Sequence, residues 1–448
     1  MKTGTKSRGG LLESDNGRKD VEISRLKAQI NKDSSNSSKP PSADGFKTIL
    51  NSREKSDRKV GGQKGHKGTT LTVPKNLDVL VREGKAQKKV VDLTDGAEKY
   101  ISQWKIDLKT VVVYTEYRLP CGGGNMPCVF YGENLKALSV LLSNNGLISG
   151  GRLSDFFTDV SYGLITISEA TIEKINREAA ERIKIEGIKR DLLNGKVMHT
   201  DETCISCAQL LEYDETTPKT AVKSSFNAVI RTHSSNTATL YTANPHKDDE
   251  GVIRDGIIPS FCGILVHDHD KKYYKYGDRH ATCGAHLSRE LKGLHELYNV
   301  KWADKFRKFY VGMNDYKNKT KICKPNKLFE FEHEYDELLE EGRAVLDSMP
   351  PKSFGYEQLR LVLTRLRHYK NTHMLFIKDY AAPFTNNQAE RDLRHCKTKQ
   401  KVSGCFRSWD GLVCYAKICS FLSTSRKRKH GLLSAVKSLF DKPSTASC

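Results

Sequence analysis

The chain has 448 residues, a net charge of +20 and a sequence pI of about 9.3, long enough for two to four domains with a sizeable core. The basic excess favours a polyanionic partner, by default DNA or RNA. No apolar run reaches the roughly 18 residues of a membrane span, and MKTGTKSRGG at the start lacks the apolar segment of a signal peptide, so a cytoplasmic protein is expected.

Residues 1–20 are polar and Gly-rich, which predicts disorder. Val21 to Ile30 predicts a short helix with Ile23, Leu26 and Ile30 on a heptad-like seam, too short for a stable coiled coil alone. A Ser/Asn/Pro linker follows, then Val60-Gly-Gly-Gln-Lys-Gly-His-Lys-Gly68. Its glycines let the backbone approach phosphates, with Lys64, His66 and Lys67 supplying charge; a plain tether is the alternative. Alternation at Val111, Val113, Thr115 and Tyr117 predicts a half-buried strand within a strand-like stretch over 74–120. Cys121 and Cys128 flank a glycine turn and offer half of a zinc site. No second C-x-x-C pair lies nearby, so zinc is doubtful here. Residues 132–185 predict helices, with stripes at Leu135, Leu138, Leu141 and Leu142 and at Ile172, Ile175, Ala179 and Ile183. They suit either a helix-turn-helix DNA reader or a packing collar.

Three acidic positions then stand out. Lys196 to Thr203 is a short apolar approach ending in Asp201. Ser224–Thr232 and Ala238–Thr242 read as two strands, and Gly263 to His267 as a third that closes on Asp268 and Asp270. Asp268 is nearer the apolar run. Asp270 falls into a loop where Lys271 and Lys272 can neutralise it, and the choice between the two stays open. Thr385 with Gln388 reads as a capping box opening a helix that carries Glu390. Taken singly, Asp residues at strand ends are commonly turn caps. Together, strand-end Asp residues and a later helical Glu give the layout of a ribonuclease-H-like core. Three converging carboxylates repel one another unless cations sit between them. Mg2+ suits such oxygen ligands, and a pair of ions promotes in-line phosphoryl transfer.

Cys283 and His286, three apart, share a helix face. As a zinc half-site they lack partners; they either help to place DNA or a carboxylate, or simply pack. The twelve Cys are scattered and predict reduced thiols, with Cys262, Cys283, Cys405, Cys414 and Cys419 expected to pack. Residues 300–353 predict an acidic helical insertion with Phe331, Tyr335, Leu338 and Leu339 along one side. Tyr356–Tyr369 predicts an amphipathic helix with Leu359, Leu363 and Leu366 inward and Arg360, Arg365 and Arg367 outward. Beyond Glu390, the cations Arg391, Arg394, Lys397, Lys399, Lys401 and Arg407 predict DNA contact. Phe406 and Trp409 among them suit stacking on bases.

In order along the chain, NSSKPPSAD (36–44), GGQKGHKG (61–68), HTDET (199–203), HDHDKKYY (267–274), CGAHLSR (283–289) and FTNNQAERDLR (384–394) resemble the signatures of the insertion-sequence-66-type transposases, a bacterial DDE family. The resemblance covers about residues 34–435. It implies an α/β fold with a ribonuclease-H-like catalytic core, and Asp201, Asp268 and Glu390 as a triad holding Mg2+ or Mn2+. It implies cleavage at terminal inverted repeats and joining of the freed ends to target DNA. A homo-oligomeric synaptic complex, accessory proteins and a nucleoid-associated location are further implications. Cys283, His286 and Asn387 are possible accessory residues. The C-x-x-C motif of many relatives is missing, since residues 75–110 contain no Cys. A non-catalytic DNA-binding relative and a structure-specific nuclease are the alternatives. The expected organisation is a disordered start, short helix and linker over 1–50, and a basic loop with a small β-rich, degenerate zinc-ribbon-like domain over 51–130. A helical DNA-binding region over 131–190 follows. The core occupies 191–299 and 354–435, interrupted by the insertion over 300–353, and 436–448 is a tail.

Overall fold

Alternation builds the centre of the molecule. The run Val197–Cys207 forms β1; successive strand side chains face opposite ways, so Met198 is buried on one face while Ile205 and Cys207 are buried on the other. The structure is a computed structural model that describes residues 8–37, 72–92, 101–118, 129–208, 210–211, 221–223, 226–351 and 353–441. The short strands β2 (Leu210–Leu211) and β3 (Ala221–Lys223) pair as a separate ladder. Then come β4 (Phe226–Ser234), β5 (Thr239–Asn244), β6 (Ile264–His267) and β7 (His280–Thr282). The main sheet has the order β5-β4-β1-β6-β7. β4 runs antiparallel to both β1 and β5, whereas β6 is parallel to β1 and β7 to β6. The expected α/β class is thus a mostly helical chain around one mixed sheet.

The helices take the rest of the chain. α1 (Arg8–Asn31) and α2 (Leu77–Arg82) come first. α3 (Glu133–Asn144), α4 (Gly150–Val160), α5 (Glu169–Arg182) and α6 (Glu186–Leu193) lead into β1. α7 (Asp249–Asp255) joins β5 to β6. After β7 come α8 (Gly284–Tyr298), α9 (Lys301–Lys319), α10 (Pro325–Ser348), α11 (Tyr356–His368) and α12 (Lys370–Lys378). α13 (Asn387–Ser403), α14 (Trp409–Lys427) and α15 (Leu432–Ser438) close the described chain. None of the described helices is long and apolar enough to cross a membrane.

Burial separates the two faces of the sheet. Ile205, Ala228, Ile230 and Tyr241 pack on Leu393 and Cys396 of α13 and Tyr415 and Cys419 of α14. On the same face, Ile264, Val266 and Ala281 join the core of α8 to α12. The opposite face buries Met198, Leu240 and Leu265 against Ile188 and Leu192 of α6 and Val252 of α7. α3, α4 and α5 share a core with Ile418 and Leu422 of α14 and Val436 of α15. Within α3 the deepest apolar residues are Ala137 and Val140, with the expected leucine stripe half-buried at the margin.

Several expectations are corrected. Residues 8–20 continue the helix of Val21–Ile30 instead of being disordered, because a nucleated helix gains one hydrogen bond per added residue. Its seam Ile23, Leu26 and Ile30 is exposed. Residues 101–118 carry no strand, and Val111, Val113 and Tyr117 are 76%, 79% and 64% exposed. Among the described residues the run pairs with no other strand, so its alternation marks an extended segment rather than half of a sheet. The expected β-rich segment is not found there. Cys262 is exposed rather than packed. Arg365 points inward to pair with Glu290 of α8. The Gly-rich loop with Lys64, His66 and Lys67, and the Cys121/Cys128 pair, lie outside the described residues.

Candidate active site

Strand register brings two of the three carboxylates together. In the parallel pair, His199 of β1 lies opposite Val266 of β6. Asp201 and Asp268 each follow two residues later, so both turn to the face that α13 covers, at the same level. The Asp201 carboxylate accepts the Glu202 backbone N–H at 2.9 Å, and Asp268 accepts that of Asp270 at 3.1 Å. Burial first, and then the charge of Asp268, raise the Asp201 carboxyl to about 7; Glu390 pushes the same way. Asp268 is also raised, by burial foremost. Asp270 behaves differently: Lys247 and Lys272 stand 3.3 Å from it, and their charges outweigh its burial and lower it. Of the two aspartates after β6, Asp268 therefore faces Asp201 and Asp270 is neutralised in the loop.

The histidines next to Asp268 in the chain, and those that pack on them, are held neutral by burial. Burial pushes His267 and His373 down to about 3 and lowers His269 as well. His267 shares a hydrogen bond with His280 at 3.0 Å, and the His269 and His373 rings lie 4.8 Å apart.

Glu390 sits in the first turn of α13. The expected capping box does not form, since Asn386 is the N-cap residue and no side chain caps the helix. The buried Asn386 instead reaches into the sheet. Its Nδ2 donates to the Thr200 carbonyl at 2.8 Å, its Oδ1 lies 3.0 Å from His199 Nδ1, and its backbone N–H donates to Cys283 Sγ at 3.2 Å. Cys283 in turn donates its backbone N–H to the His267 carbonyl at 3.0 Å and its thiol to Glu390 Oε1 at 3.6 Å. Asn386 and Cys283 thereby tie together the residues before Asp201, the residue before Asp268, and Glu390. Gly284 completes the join: its N–H donates to the Phe384 carbonyl at 2.8 Å, and a Cβ there would meet the Phe384 ring at 2.5 Å. Asn387, the expected accessory residue, is exposed; the anchoring residue is its neighbour Asn386.

The opposite face carries a buried ionic network of which sequence reasoning anticipated only the Lys272–Asp270 pair. Arg231 of β4 contacts Glu202 at 2.9 Å and pairs with Asp255 of α7, and all three side chains are almost fully buried. Lys272 pairs with Glu202, as does Lys247 at 3.1 Å. Three cations (Arg231, Lys247 and Lys272) thus face three carboxylates (Glu202, Asp255 and Asp270). Lys247 and Lys272 bridge Glu202, next to Asp201, to Asp270, two residues past Asp268. The signal was legible in principle, because Arg231 shares its strand phase with the buried Val229 and His233.

Among the described residues, one set of three potential ligand atoms lies within 4.8 Å of one another: Cys283, His286 and Glu390. Asp201, Asp268 and Glu390 make no such close set, although their charges interact. Their all-oxygen donors and mutual repulsion fit a hard divalent cation between them. The nearby lysines do not meet that need, being committed to Glu202 and Asp270.

Of the cations expected to meet DNA, Arg391, Arg394, Lys401 and Arg407 are exposed. Lys397 instead donates to the Cys204 carbonyl at 2.7 Å, and burial lowers both Lys397 and Lys399. Phe406 is buried against Tyr415 and its backbone bridges to Cys207, so it does not offer a ring to a base. Aromatic character alone did not separate a core ring from an exposed one.

Residues 10–72 match a family of unknown function, DUF6444. No curated protein matches the chain significantly. Residues 129–413 match the family described as Transposase IS66 family. That span is more than half of the 448 residues and contains β1, β6 and α13 with their three carboxylates. The chain belongs to the IS66 family of transposases.

Proposed function

We propose that the protein is a DDE transposase that cleaves the terminal inverted repeats of an insertion sequence and joins the freed 3′ ends to target DNA. Asp201, Asp268 and Glu390 are its acidic centre. The observation that carries this reading is the β1–β6 register, which sets Asp201 and Asp268 level on the face covered by the Glu390 helix. A three-stranded antiparallel meander continued by two parallel strands, with the Glu390 helix across it, supports a ribonuclease-H-like core.

The three carboxylates would hold Mg2+ or Mn2+, which supplies Lewis-acid activation of the attacking and leaving oxygens in phosphoryl transfer. The chain's own residues do the positioning. Asp201 presents its oxygens from within β1 and Asp268 from just past the end of β6, and Asn386 with Cys283 holds the Glu390 helix to both strands. Arg391 and Arg394 leave the same helix into solvent, where they can take DNA phosphates on either side of the acidic centre. DNA is the partner, and a homo-oligomer holding two element ends is the working assembly.

The test is a terminal-repeat duplex incubated with the protein and Mg2+. Nicking at the 3′ ends and strand joining are expected, both lost in Asp201→Asn with DNA binding retained. Binding without either product would replace this reading by an inactive relative, and nicking without joining by a nuclease.

A further inference from the structure

The Glu390 side chain is held by partners that an Mg2+ site does not use. Cys283 Sγ lies 3.6 Å from Glu390 Oε1, and His286 Nδ1 lies 3.7 Å from the same oxygen. Tetrahedral zinc, with a sulfur at about 2.3 Å and nitrogen or oxygen at about 2.0–2.2 Å, has ligand-to-ligand edges of about 3.4–3.6 Å. The observed edges of 3.6 and 3.7 Å lie at or just above that figure, and the third, between Cys283 and His286, is within 4.8 Å. Octahedral Mg2+ needs edges of about 2.9 Å and avoids thiolate.

Three further observations point to a ligand. His286 Nδ1 is buried and makes no hydrogen bond; it lies 3.7 Å from Glu390 Oε1 without bonding to it, which leaves a ring nitrogen in the cluster available to a cation. Cys283 is the N-cap residue of α8 and its sulfur accepts the Asn386 N–H at 3.2 Å; burial and Glu390 push the thiol up to about 11, so the thiolate forms only as a cation displaces the proton, with that N–H donor supporting it. The sulfur is buried, but the side chains of His286 and Glu390 are 24% and 26% exposed, leaving a path for a cation and room for a fourth, water ligand.

We propose that Cys283, His286 and Glu390 form a binding site for a soft divalent cation of the zinc type, which shares Glu390 with the acidic centre. Binding replaces the thiol proton: the S–H bond breaks, a sulfur–metal bond forms, and the proton passes to solvent. The cation draws Glu390 toward α8 and away from Asp201 and Asp268. A zinc-type ion therefore acts as a brake on the hard-cation chemistry. The site stands on its own geometry; the brake rests on the proposed function.

The test uses Co2+ as an optical probe on the full chain. One equivalent should produce thiolate-to-cobalt charge transfer and tetrahedral ligand-field bands, both displaced by Zn2+. Cys283→Ser should lose the charge-transfer band. His286→Ala should bind more than about 100-fold more weakly, beyond the loss typical of a mere supporting partner. A chain carrying Cys121→Ser and Cys128→Ser should keep the band. Thermal unfolding of each variant, with the Cys283→Ser midpoint within a few degrees of the parent, excludes global unfolding as the cause. A band that survives Cys283→Ser, or no band in the parent, overturns the site. Separately, Zn2+ at a fixed excess of Mg2+ should inhibit nicking more than tenfold in the parent and less than twofold in Cys283→Ser, each compared with its own zinc-free rate. Equal inhibition of both overturns the brake while leaving the site intact. No nicking by the parent without zinc counts against the proposed function alone, and the optical result still decides the site.

Discussion

The two faces of the sheet hold the same pair of strands by different means. Beneath β1, Arg231, Glu202, Asp255 and Lys272 form a buried ionic network. Above it, Asn386 and Cys283 make a small set of hydrogen bonds in which only the Glu390 carboxylate carries charge. Buried charges contribute little net stability but are very costly to break, because removing one strands the others. Neutral hydrogen bonds contribute about 1 kcal/mol each and yield more gently. The ionic side thus governs whether the strands stand together at all, and the neutral side governs where the Glu390 helix rests on them.

Predictions that break this contrast run from large to small. Arg231→Met leaves Glu202 and Asp255 buried without their partner, and a loss of about 3–5 kcal/mol is expected in denaturant unfolding. A loss below 1 kcal/mol would show that the network relaxes and carries no such role. Asn386→Ala deprives the Thr200 carbonyl and His199 of a buried partner, which should cost about 1–3 kcal/mol. Its nicking rate should fall by a larger factor than that of Arg231→Met, compared at temperatures where both are folded. Equal falls would erase the distinction between the two faces.

Proton linkage sharpens the contrast on the upper face. The Asp201 carboxyl is raised from 3.8 to about 7 in the fold. Below pH 4 it is neutral in folded and unfolded chains alike and costs nothing. As pH climbs toward 7 the unfolded chain ionises first, so folding without a cation is progressively opposed. Asp201→Asn removes that opposition. Without divalent cations, the stability of the variant relative to wild type should rise between pH 4 and 7, by on the order of a few kcal/mol, and level off above. Added Mg2+ should recover the difference in the wild type only. A flat difference across this range would mean that the carboxylates do not repel as described. The smallest effects belong outside both faces. Arg391→Ala and Arg394→Ala should each change stability by less than about 0.5 kcal/mol. Each should flatten the salt dependence of DNA binding by about one unit of slope.

Much of the sheet was legible because apolar alternation encodes which face is buried. The runs around Val197, Phe226, Ala238 and Ile264 all became strands; Asp268 follows the end of β6 as expected, whereas Asp201, expected to close its strand, lies inside β1, which runs on to Cys207 with Ile205 buried in the same phase. The same pattern misled at Val111–Tyr117, where alternation exists without a partner strand. The Glu390 helix was legible, but its start was misread. Thr385 and Gln388 have capping chemistry, yet Asn386 gains more from the open carbonyl of Thr200 across the interface, a contact 186 residues away in sequence. Cys283 and His286 were expected either to help place DNA or a carboxylate or simply to pack, with no carboxylate singled out. Their contact with Glu390 depends on α8 meeting α13, which no local pattern encodes.

The level placement of Asp201 and Asp268 has a consequence for how this chain can vary in length. Deleting one residue between Val197 and Asp201 would turn Asp201 to the underside and offer Glu202 upward in its place. A single codon lost there exchanges an acidic centre for a stranded cation cluster. The turn after Ser234 and the helices between Gly284 and Lys378 lie outside that phase. Insertions accumulating in those segments would leave the acidic pair in step, so drift in length should be confined to them.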